Sequence, residues 1–542
     1  MNAAAFQGIV TVIGHGAPSI QTDEPVPVST MTSSPGASGF PVVYTGFDVA
    51  WPDFFIVTTL FAVSHAIYAF LGLRFDAATA AVFIQFIDGE LLSHRLIESL
   101  WYYHANPPML NLMVGAGMKM FGGGSDLFLS VIFHLLGFLT VLCVYILTLS
   151  LCSARSVAIV AAGLLVFSPS FVLYENWLMY TFPAAALLTI SALALSRYLQ
   201  TQQTRWAVAF FGLLAALLLT RSLFHIVWMV AVIALLTALL RQHRKQVLLA
   251  AAVPLLLVVL WYGKNYYLFG TFASSTWMGL GLSNITTLMV TQKELLPLVQ
   301  AGELSPFALV SRHRQMDLLF SSQHLPPTGI PVLDQIRTST GAYNFNSQQM
   351  LAVSRYYATD GFTVLRKFPA SYAIGLGIAN RLFFSPSNMN LYFTEENRQA
   401  VRPMERIFNP LLYAVPAKSS PLMRPHFGFE NPDLIEVNTS IPLIAAWWLV
   451  LGYGYLQVRR TLLTRTPDLM PRAIVIGFIA GTALYIYMVG TALELSENNR
   501  YRFLIEPLFM VLAATAVTDL VRMVRRKFRS DDPVPGQAQM GS

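Results

Sequence analysis

The sequence has 542 residues, of which 55% are hydrophobic and only 12% are charged. Soluble domains carry about 25% charged residues, so this composition excludes an ordinary soluble protein and indicates a polytopic membrane protein. The net charge of +7 would suit a nucleic-acid-binding protein. Its Lys and Arg residues lie in short loops without an interleaved aromatic face, so we predict no nucleic-acid partner. The two cysteines, Cys143 and Cys152, imply no disulfide framework.

Ten apolar segments predict membrane-spanning helices. They cover residues 54–73, 127–151, 157–174, 180–195, 206–220, 222–240, 247–268, 441–456, 473–490 and 503–521. Residues 1–50 precede them and are rich in Ser, Thr, Pro, Gly and Ala, which is typical of a disordered tail. Segment 77–87 is too short to span and predicts a helix on the membrane surface, while 108–121 predicts an interfacial or re-entrant segment. Segment 372–384 is also interpreted as an amphipathic surface helix, because an eleventh span would break the alternation of the loops.

The loop charges predict the orientation, because short cytoplasmic loops are enriched in Lys and Arg. Most loop cations lie near residues 155, 197–205, 241–245, 459–472 and 522–529, which we therefore place in the cytoplasm. The loops 74–124 and 270–440 then share the outer side. The predicted fold is an all-α bundle of about 10–12 transmembrane helices in a plasma membrane, most simply a bacterial one. Its parts are a cytoplasmic tail (1–50), a core (51–269), an extracytoplasmic loop region (270–440), closing helices (441–521) and a basic cytoplasmic tail (522–542).

Asp88 and Glu90 are the candidate catalytic carboxylates. They stand two residues apart, directly after an apolar run, where both could face one cavity. A carboxylate at such a boundary can act as a general base towards an acceptor hydroxyl. The alternative, which the spacing favours, is that Asp88 caps a helix with Glu90 in its first turn. Both can hold at once.

Residues 104–108 read His-Ala-Asn-Pro-Pro and predict a rigid turn, because adjacent prolines fix the backbone. This turn would direct His104 and Asn106 towards Asp88, where they could orient the acceptor or the donor. A plain helix break at the membrane interface is the alternative that the spacing favours. No metal site is assigned, since no metal signature matches the spacing of Asp88, Glu90, His94 and His104.

Glu175 and Arg221 lie in turns between predicted spans. Glu175 could orient the acceptor or pair with an arginine, and an ordinary solvated turn explains it equally well. Arg221 interrupts a long apolar run, where a charge is costly unless it is at the surface or paired. With His225 one turn later, it would suit a lipid phosphate. A simple hairpin tip is the alternative.

Lys264, Arg500 and Arg502 are the other candidate phosphate ligands. Lys264 lies on the predicted outer side, against the positive-inside bias, although lysine is also usual as an interfacial anchor. Arg500 and Arg502 lie in the last outer turn and could clamp a phosphate. An ion-pair cluster with Glu494 and Glu497 is the alternative.

The joint order of these motifs resembles the GT-C superfamily of glycosyltransferases, and within it the protein O-mannosyltransferase and aminoarabinose-transferase-like branch. The resemblance covers roughly residues 50–285 and 490–521 and is carried by Asp88-Gly89-Glu90, Asn106-Pro107-Pro108-Met109, Lys264-Asn265-Tyr266, Phe269-Gly270 and Asn499-Arg500-Tyr501-Arg502-Phe503. The inserted Gly89 departs from the acidic pair of that branch, so either Asp88 or Glu90 could hold the catalytic place. The segment 270–440 matches no part of it.

This resemblance implies an inverting transfer of a sugar from a polyprenyl phosphate to an acceptor hydroxyl on the extracytoplasmic face. Asp88 or Glu90 would deprotonate the acceptor. The departing lipid phosphate would be held by Arg221, Lys264, Arg500 and Arg502. The implied partners are the polyprenyl-phosphate-linked sugar, membrane lipid, and a glycan, lipid or protein acceptor. No cofactor is assigned, and a divalent metal is left open.

Three other functions are weighed against this one. A transporter or flippase of lipid-linked sugars should have charges in mid-span and repeated span pairs, and the sequence shows neither. An envelope polysaccharide ligase would share the membrane plan but use a His- or Arg-centred site without the 88–108 arrangement. A structural subunit would not need cations at 221, 264, 500 and 502 on one side of the membrane.

Overall fold

All ten predicted spans fall on helices in the computed structural model, which describes residues 51–310, 315–321, 325–389, 392–414, 420–424 and 433–530. The predicted tail 1–50 lies outside the described residues. The first helices are α1 (Trp51–Phe70), α2 (Thr79–Val82), α3 (Gly89–His94), α4 (Leu96–Trp101), α5 (Met109–Phe121), α6 (Ser125–Cys152), α7 (Arg155–Val166), α8 (Pro169–Glu175), α9 (Thr181–Thr201), α10 (Thr204–Leu218), α11 (Ile226–Leu239) and α12 (Arg244–Phe269).

The remaining elements begin with α13 (Met278–Ile285), α14 (Gln292–Gln300), α15 (Met316–Ser321), α16 (Pro331–Asp334), α17 (Gln348–Lys367), α18 (Pro369–Phe383) and α19 (Glu395–Phe408). An antiparallel ribbon follows, formed by β1 (Ser420–Arg424) and β2 (Asp433–Val437) with Ser420 opposite Val437. The last helices are α20 (Ile441–Thr464), α21 (Met470–Ala492), α22 (Asn498–Phe503) and α23 (Glu506–Ser530). The prediction of an α-helical polytopic membrane protein is confirmed, with this ribbon as the addition that the sequence did not predict.

Among the described residues, 7 helical stretches are long and apolar enough to cross a membrane, and one bent pair makes an eighth. The bent pair is α7 and α8, which meet at 58°. The bend follows from Pro169, which has no N–H to continue the α7 ladder and begins α8 instead. The shorter apolar helices α10 and α11 account for the other two predicted spans.

The helix α9 lies at the centre of the bundle, and α1 and α20 lie at its periphery. In α9, 83% of the most apolar window is buried, against 22% in each of the other two. Its immediate neighbours are α6, α10 and α21. The residue before it, Tyr180, is therefore held in a fixed place at one end of the bundle, which matters for the site described below.

The expected surface helix at 77–87 is wrong, because only Thr79–Val82 is helical. Backbone pairing holds the chain there in a different shape: Asp76 N donates to Asn176 O at 2.8 Å, and Leu178 N donates to Asp76 O at 3.1 Å. The Thr79 hydroxyl adds a bond of 2.9 Å to Leu178 O. Contacts between residues about a hundred positions apart in the sequence thus override the helix that the local apolar pattern predicts.

The region 270–440, expected as a loop region, is largely helical and packs against the segment that follows α4. The amide oxygen of Asn346 accepts hydrogen bonds from His104 N at 2.8 Å and from Ala105 N at 3.0 Å. The hydroxyl of Ser354 donates to Thr276 O at 2.6 Å. These buried bonds fix the chain around residue 104 between α12 and α17.

The helices α13 and α17 pack closely because glycines lie in their contact. A Cβ at Gly279 would overlap the carbonyl oxygen of Ser354 and lie 2.7 Å from Ala358 N. A Cβ at Gly361 would meet Leu282 at 2.9 Å. The contact positions residues 274–281, which form part of the cavity wall described below.

We expect Gly279→Ala to lower the free energy of unfolding by about 1–3 kcal/mol or more, because backbone atoms cannot move aside as a side chain can. The matched control is Gly377→Ala in α18, where a Cβ would meet no atom within 4 Å. That change should stabilise by up to about 1 kcal/mol through helix propensity. Thermal unfolding of both variants in one detergent measures the difference, and equal stability would disprove the close contact.

Candidate functional site

A cavity of about 1110 Å³ lies at one end of the helical bundle. It is formed by the start of α9, the α10–α11 connection, the chain after α12 and the α21–α22 connection. Its polar and aromatic lining side chains include Gln85, Asn106, Tyr180, Arg221, His225, Trp277, Phe345, Glu494, Glu497, Arg500 and Tyr501. Of the nine candidate site residues from the sequence, Asn106, Arg221 and Arg500 line it.

Arg221 and Arg500 meet at the ring of Tyr180. The guanidinium carbon of Arg221 lies 4.3 Å from the ring centroid, and that of Arg500 lies 5.4 Å from it. Arg221 also lies 4.9 Å from the centroid of Tyr501. Both arginines are buried, at 7% and 3% exposure. Two buried cations on one aromatic ring require nearby negative charge.

Glu497 supplies part of that charge through an ion pair with Arg500. Burial alone would lower the pKa of Arg500, but the carboxylate of Glu497 raises it above its ordinary value, so the side chain stays charged. Its Nη2 donates to the Tyr180 hydroxyl at 3.1 Å. Its Nε and Nη1 are buried and have no hydrogen-bond partner among the described residues.

Two carboxylates line this part of the cavity, those of Glu494 and Glu497. Oε1 of Glu494 accepts from Asn284 Nδ2 at 2.5 Å and from Leu495 N at 3.1 Å. Sequence reasoning considered both residues only as ion-pair partners of arginine. The signal that could have identified them was the unusual density of charge in so short a turn.

The helix cap predicted for Asp88 is confirmed. Its Oδ1 accepts from Glu90 N at 3.2 Å at the start of α3 and from the Ser339 hydroxyl at 2.6 Å. Its Oδ2 accepts from Ser339 N at 2.7 Å. Asp88 is buried and does not line the cavity, and Glu90 is exposed and does not line it either. The structure therefore places both carboxylates outside the site that holds the arginine pair.

His104 and Lys264 support the cavity wall from behind. His104 Nδ1 bonds the Thr276 hydroxyl at 2.8 Å. Lys264 Nζ donates to Trp101 O at 3.0 Å and to Tyr103 O at 2.9 Å. Neither side chain lines the cavity. Lys264 thus binds backbone carbonyls where the sequence suggested a phosphate.

Arg502 and Glu175 also lie away from the cavity. Arg502 donates to Phe383 O at 2.7 Å and to Ser385 O at 2.8 Å, and it pairs with Glu506 at 2.6 Å. It therefore holds the end of α18 against α22 and α23. Glu175 is fully buried and bonds His65 of α1 at 2.6 Å. These contacts explain both residues by packing between helices.

No three His, Cys, Asp or Glu side chains of the described residues come together in a way that could hold a metal ion. The four residues considered for such a site are dispersed, with Asp88 bound to Ser339 and His104 bound to Thr276. The arrangement at the cavity is instead one of two guanidinium groups, two carboxylates and neutral hydrogen-bonding side chains.

No family model matches the sequence, and no curated protein matches it. Among solved structures, ArnT from Cupriavidus metallidurans bound to undecaprenyl phosphate is similar at 14% identity and a TM-score of 0.31, covering 89% of this chain and 83% of that chain. The apo state of the same protein gives 13% identity and a TM-score of 0.30, covering 86% and 77%. These values are too low to assign the chain to a family.

The buried state of His104 predicts a pH dependence of stability. Burial lowers its pKa from the ordinary value of about 6.5 to about 3. As the pH falls below about 6.5, the unfolded chain binds a proton here that the folded chain does not. The free energy of unfolding should therefore decrease, by about 1 kcal/mol between pH 7 and pH 5.5 from this residue alone.

We expect His104→Gln to lose this part of the pH slope, measured by thermal unfolding at both pH values. The control is His94→Gln, because His94 is an exposed residue of α3. An unchanged slope in His104→Gln, with a wild-type slope in the control, would contradict a neutral buried imidazole.

Proposed function

We propose that the chain is a membrane glycosyltransferase of the GT-C superfamily that transfers a sugar from a polyprenyl phosphate to an acceptor hydroxyl on the extracytoplasmic face, with inversion. The observation that carries the proposal is the pair of Arg221 and Arg500 on the Tyr180 ring, inside a cavity at the end of a membrane bundle. A phosphate held by two arginines at this position suits a lipid headgroup.

The charge of the arginine pair supports this ligand. Both guanidinium side chains line the cavity, so a phosphate within it can lie beside two positive charges. Arginine donors form strong charge-assisted hydrogen bonds to phosphate oxygens. Arg221, which faces the same ring, adds the second positive charge that a phosphodiester and its phosphate product require.

The rim of the cavity suits a prenyl chain. It includes the apolar side chains of Val227, Phe272, Met278 and Leu493, each of them exposed. Val227 belongs to α11, an apolar helix of the bundle. A lipid whose phosphate lies at the arginine pair can pass between these side chains into the bilayer.

The charge distribution favours an extracytoplasmic site. The helix ends far from the cavity carry Arg155, Arg205, Arg244 and Arg459. Cations in such short connections are typical of the cytoplasmic side. The cavity lies at the other end of the same helices, where lipid-linked sugars rather than nucleotide sugars are the available donors.

In the proposed reaction the acceptor oxygen attacks the anomeric carbon as the bond from that carbon to the phosphate oxygen breaks. The bonding electrons pass to the phosphate, and a carboxylate takes the acceptor proton. We assign this base to the 494–497 turn, because Glu494 and Glu497 line the cavity and Asp88 does not. The arginine pair stabilises the charge that develops on the phosphate.

We expect Arg221→Met and Arg500→Lys each to weaken binding of undecaprenyl phosphate at least about tenfold, the equivalent of about 1.4 kcal/mol. Native mass spectrometry of the purified protein in detergent measures the bound lipid. The control is Arg402→Met, because Arg402 is 58% exposed on α19 and pairs only with Glu395 among the described residues. Binding that does not respond to either cavity arginine would disprove the phosphate site.

The assignment of the base is tested by turnover. Wild type should release undecaprenyl phosphate from one member of a panel of polyprenyl-phosphate sugars. We expect Glu494→Gln or Glu497→Gln to reduce kcat by about 10²–10⁴-fold, the usual contribution of a general base. Asp88→Asn should lower thermal stability through its cap and the Ser339 contact, and Glu90→Gln should resemble wild type.

The opposite pattern is informative. If Asp88→Asn abolishes turnover at wild-type stability while both cavity glutamates are dispensable, the reaction class stands and the base lies in the 88–90 segment.

A further inference from the structure

The two cavity glutamates differ in what their carboxylates contact. Glu497 forms an ion pair with Arg500, whose side chain is only 3% exposed. Oε1 of Glu494 instead accepts from neutral donors, among them Asn284 Nδ2 at 2.5 Å and Leu495 N at 3.1 Å. Both glutamates line the cavity, so the contacts of each carboxylate decide which of them can take part in a reaction there.

Proton transfer would affect the two carboxylates differently. A proton on Glu497 would remove the negative charge beside Arg500 and leave a buried guanidinium without this counter-charge, which is strongly unfavourable. A proton on Oε2 of Glu494 would leave the hydrogen bonds to Oε1 in place. Glu494 can therefore accept a proton during a reaction without breaking the ion pair of Arg500, and Glu497 cannot.

The side chain of Asn284 restrains the carboxylate of Glu494. Asn284 is completely buried at the end of α13, so packing leaves its amide little freedom to move. The backbone of Glu494 is held separately, because Asn498 Nδ2 donates to Glu494 O at 2.9 Å. One carboxylate oxygen is thus tied to α13 and the main chain is tied to α22. A general base needs such support from its neighbours to stay aligned with the proton that it removes.

Gly281 provides space beside the other carboxylate oxygen of Glu494. It lies three residues before Asn284 on α13, on the same face of the helix, and it lines the cavity. A Cβ at Gly281 would lie 3.2 Å from Glu494 Oε2 and 3.1 Å from Leu493 O. Because glycine has no Cβ, an oxygen atom of a ligand can occupy this space and lie within hydrogen-bonding distance of Oε2.

We propose that Glu494 is the catalytic base of the cavity and that Asn284 is its positioning residue. The inference rests on the proposed glycosyltransferase function. In the transfer, the acceptor hydroxyl lies beside Gly281 and gives its proton to Oε2 of Glu494 as its oxygen bonds the anomeric carbon. The bond from that carbon to the phosphate oxygen breaks, and its electron pair passes to the phosphate at the arginine pair. Glu497 stays ionised as the partner of Arg500.

Turnover and lipid binding of the full-length protein in detergent test this assignment together. Turnover is measured with the polyprenyl-phosphate sugar that wild type consumes, and binding is measured with undecaprenyl phosphate. Asn284→Leu keeps the size of the side chain and removes the donor, so kcat should fall at least about tenfold while the donor KM and the affinity for undecaprenyl phosphate stay within about twofold of wild type. Gly281→Ala should have the same effect, because its methyl group takes the place of the acceptor oxygen.

A double variant separates positioning of the base from support of the fold. If Asn284 acts through the carboxylate, Asn284→Leu should lower kcat no further once Glu494→Gln has removed that carboxylate. A residue that only supports the fold would lower kcat in both backgrounds.

The matched control is Asn397→Leu. The buried amide of Asn397 also donates a hydrogen bond, to Arg74 O at 2.8 Å, but neither residue lines the cavity. Its substitution should leave kcat within about twofold of wild type. Thermal unfolding of each variant confirms that a folded protein is compared.

The outcomes separate the two proposals. If wild type consumes a lipid-linked sugar but Glu494→Gln keeps the wild-type kcat, Glu494 is not the base and the proposed function stands. If the losses of kcat in Asn284→Leu and Glu494→Gln multiply in the double variant, Asn284 does not act through the carboxylate and its positioning role is disproved. If wild type consumes no lipid-linked sugar and binds no undecaprenyl phosphate through Arg221 and Arg500, the proposed function fails and the assignment of the base fails with it.

Discussion

Two arginine side chains against one tyrosine ring set the main physical constraint on this molecule. Like charges repel, and burial at the end of an apolar bundle strengthens the repulsion. The structure counters it with Glu497 and with the electron-rich faces of Tyr180 and Tyr501. Such an arrangement persists only if the surrounding chain holds it in place, and the helices around it do so. Tyr180 directly precedes the most deeply buried helix, which leaves it little freedom to move away.

The turn that carries Arg500 is held by amide side chains. Asn498 Nδ2 donates to Gly490 O at 2.8 Å, and Asn499 Nδ2 donates to Pro386 O and Met389 O, both at 3.0 Å. Neutral amides suit this task, because they satisfy backbone carbonyls without adding charge beside the arginine pair. Arg502, two residues on, completes the support with bonds to the end of α18. Along α22, Arg500 therefore lines the cavity while Arg502 supports the fold.

The sequence predicted the spans because apolar length is a local property, and nothing elsewhere in the chain overrides it in those segments. It could not separate the roles of the cations. Lys264 and Arg221 carry the same local signal, a charge beside an apolar run, but Lys264 meets the carbonyls of Trp101 and Tyr103, over 160 residues earlier in the chain. The role of Asp88 also depends on a distant residue, because its partner Ser339 is 251 residues away in the sequence. A role that depends on such a distant partner leaves no trace near the residue.

The cavity glutamates illustrate a different reason why the sequence could not assign the role of each charged residue. Glu494 and Glu497 are visible in the sequence as charges, but the sequence does not show that both line the cavity. Their position there depends on the packing of α13 against α17 and of α22 against α18.

The charges of the cavity favour the proposed transfer over simple binding of the donor. Two arginines and two glutamates sum to zero, so the donor phosphodiester, with one negative charge, gains only modest attraction. When the sugar leaves, the phosphate monoester carries about −1.5 to −2 at neutral pH. The arginine pair therefore attracts the phosphate more strongly as the bond breaks than it does in the bound donor. Stabilisation that grows along the reaction lowers the barrier, whereas equal stabilisation of both states would only tighten binding.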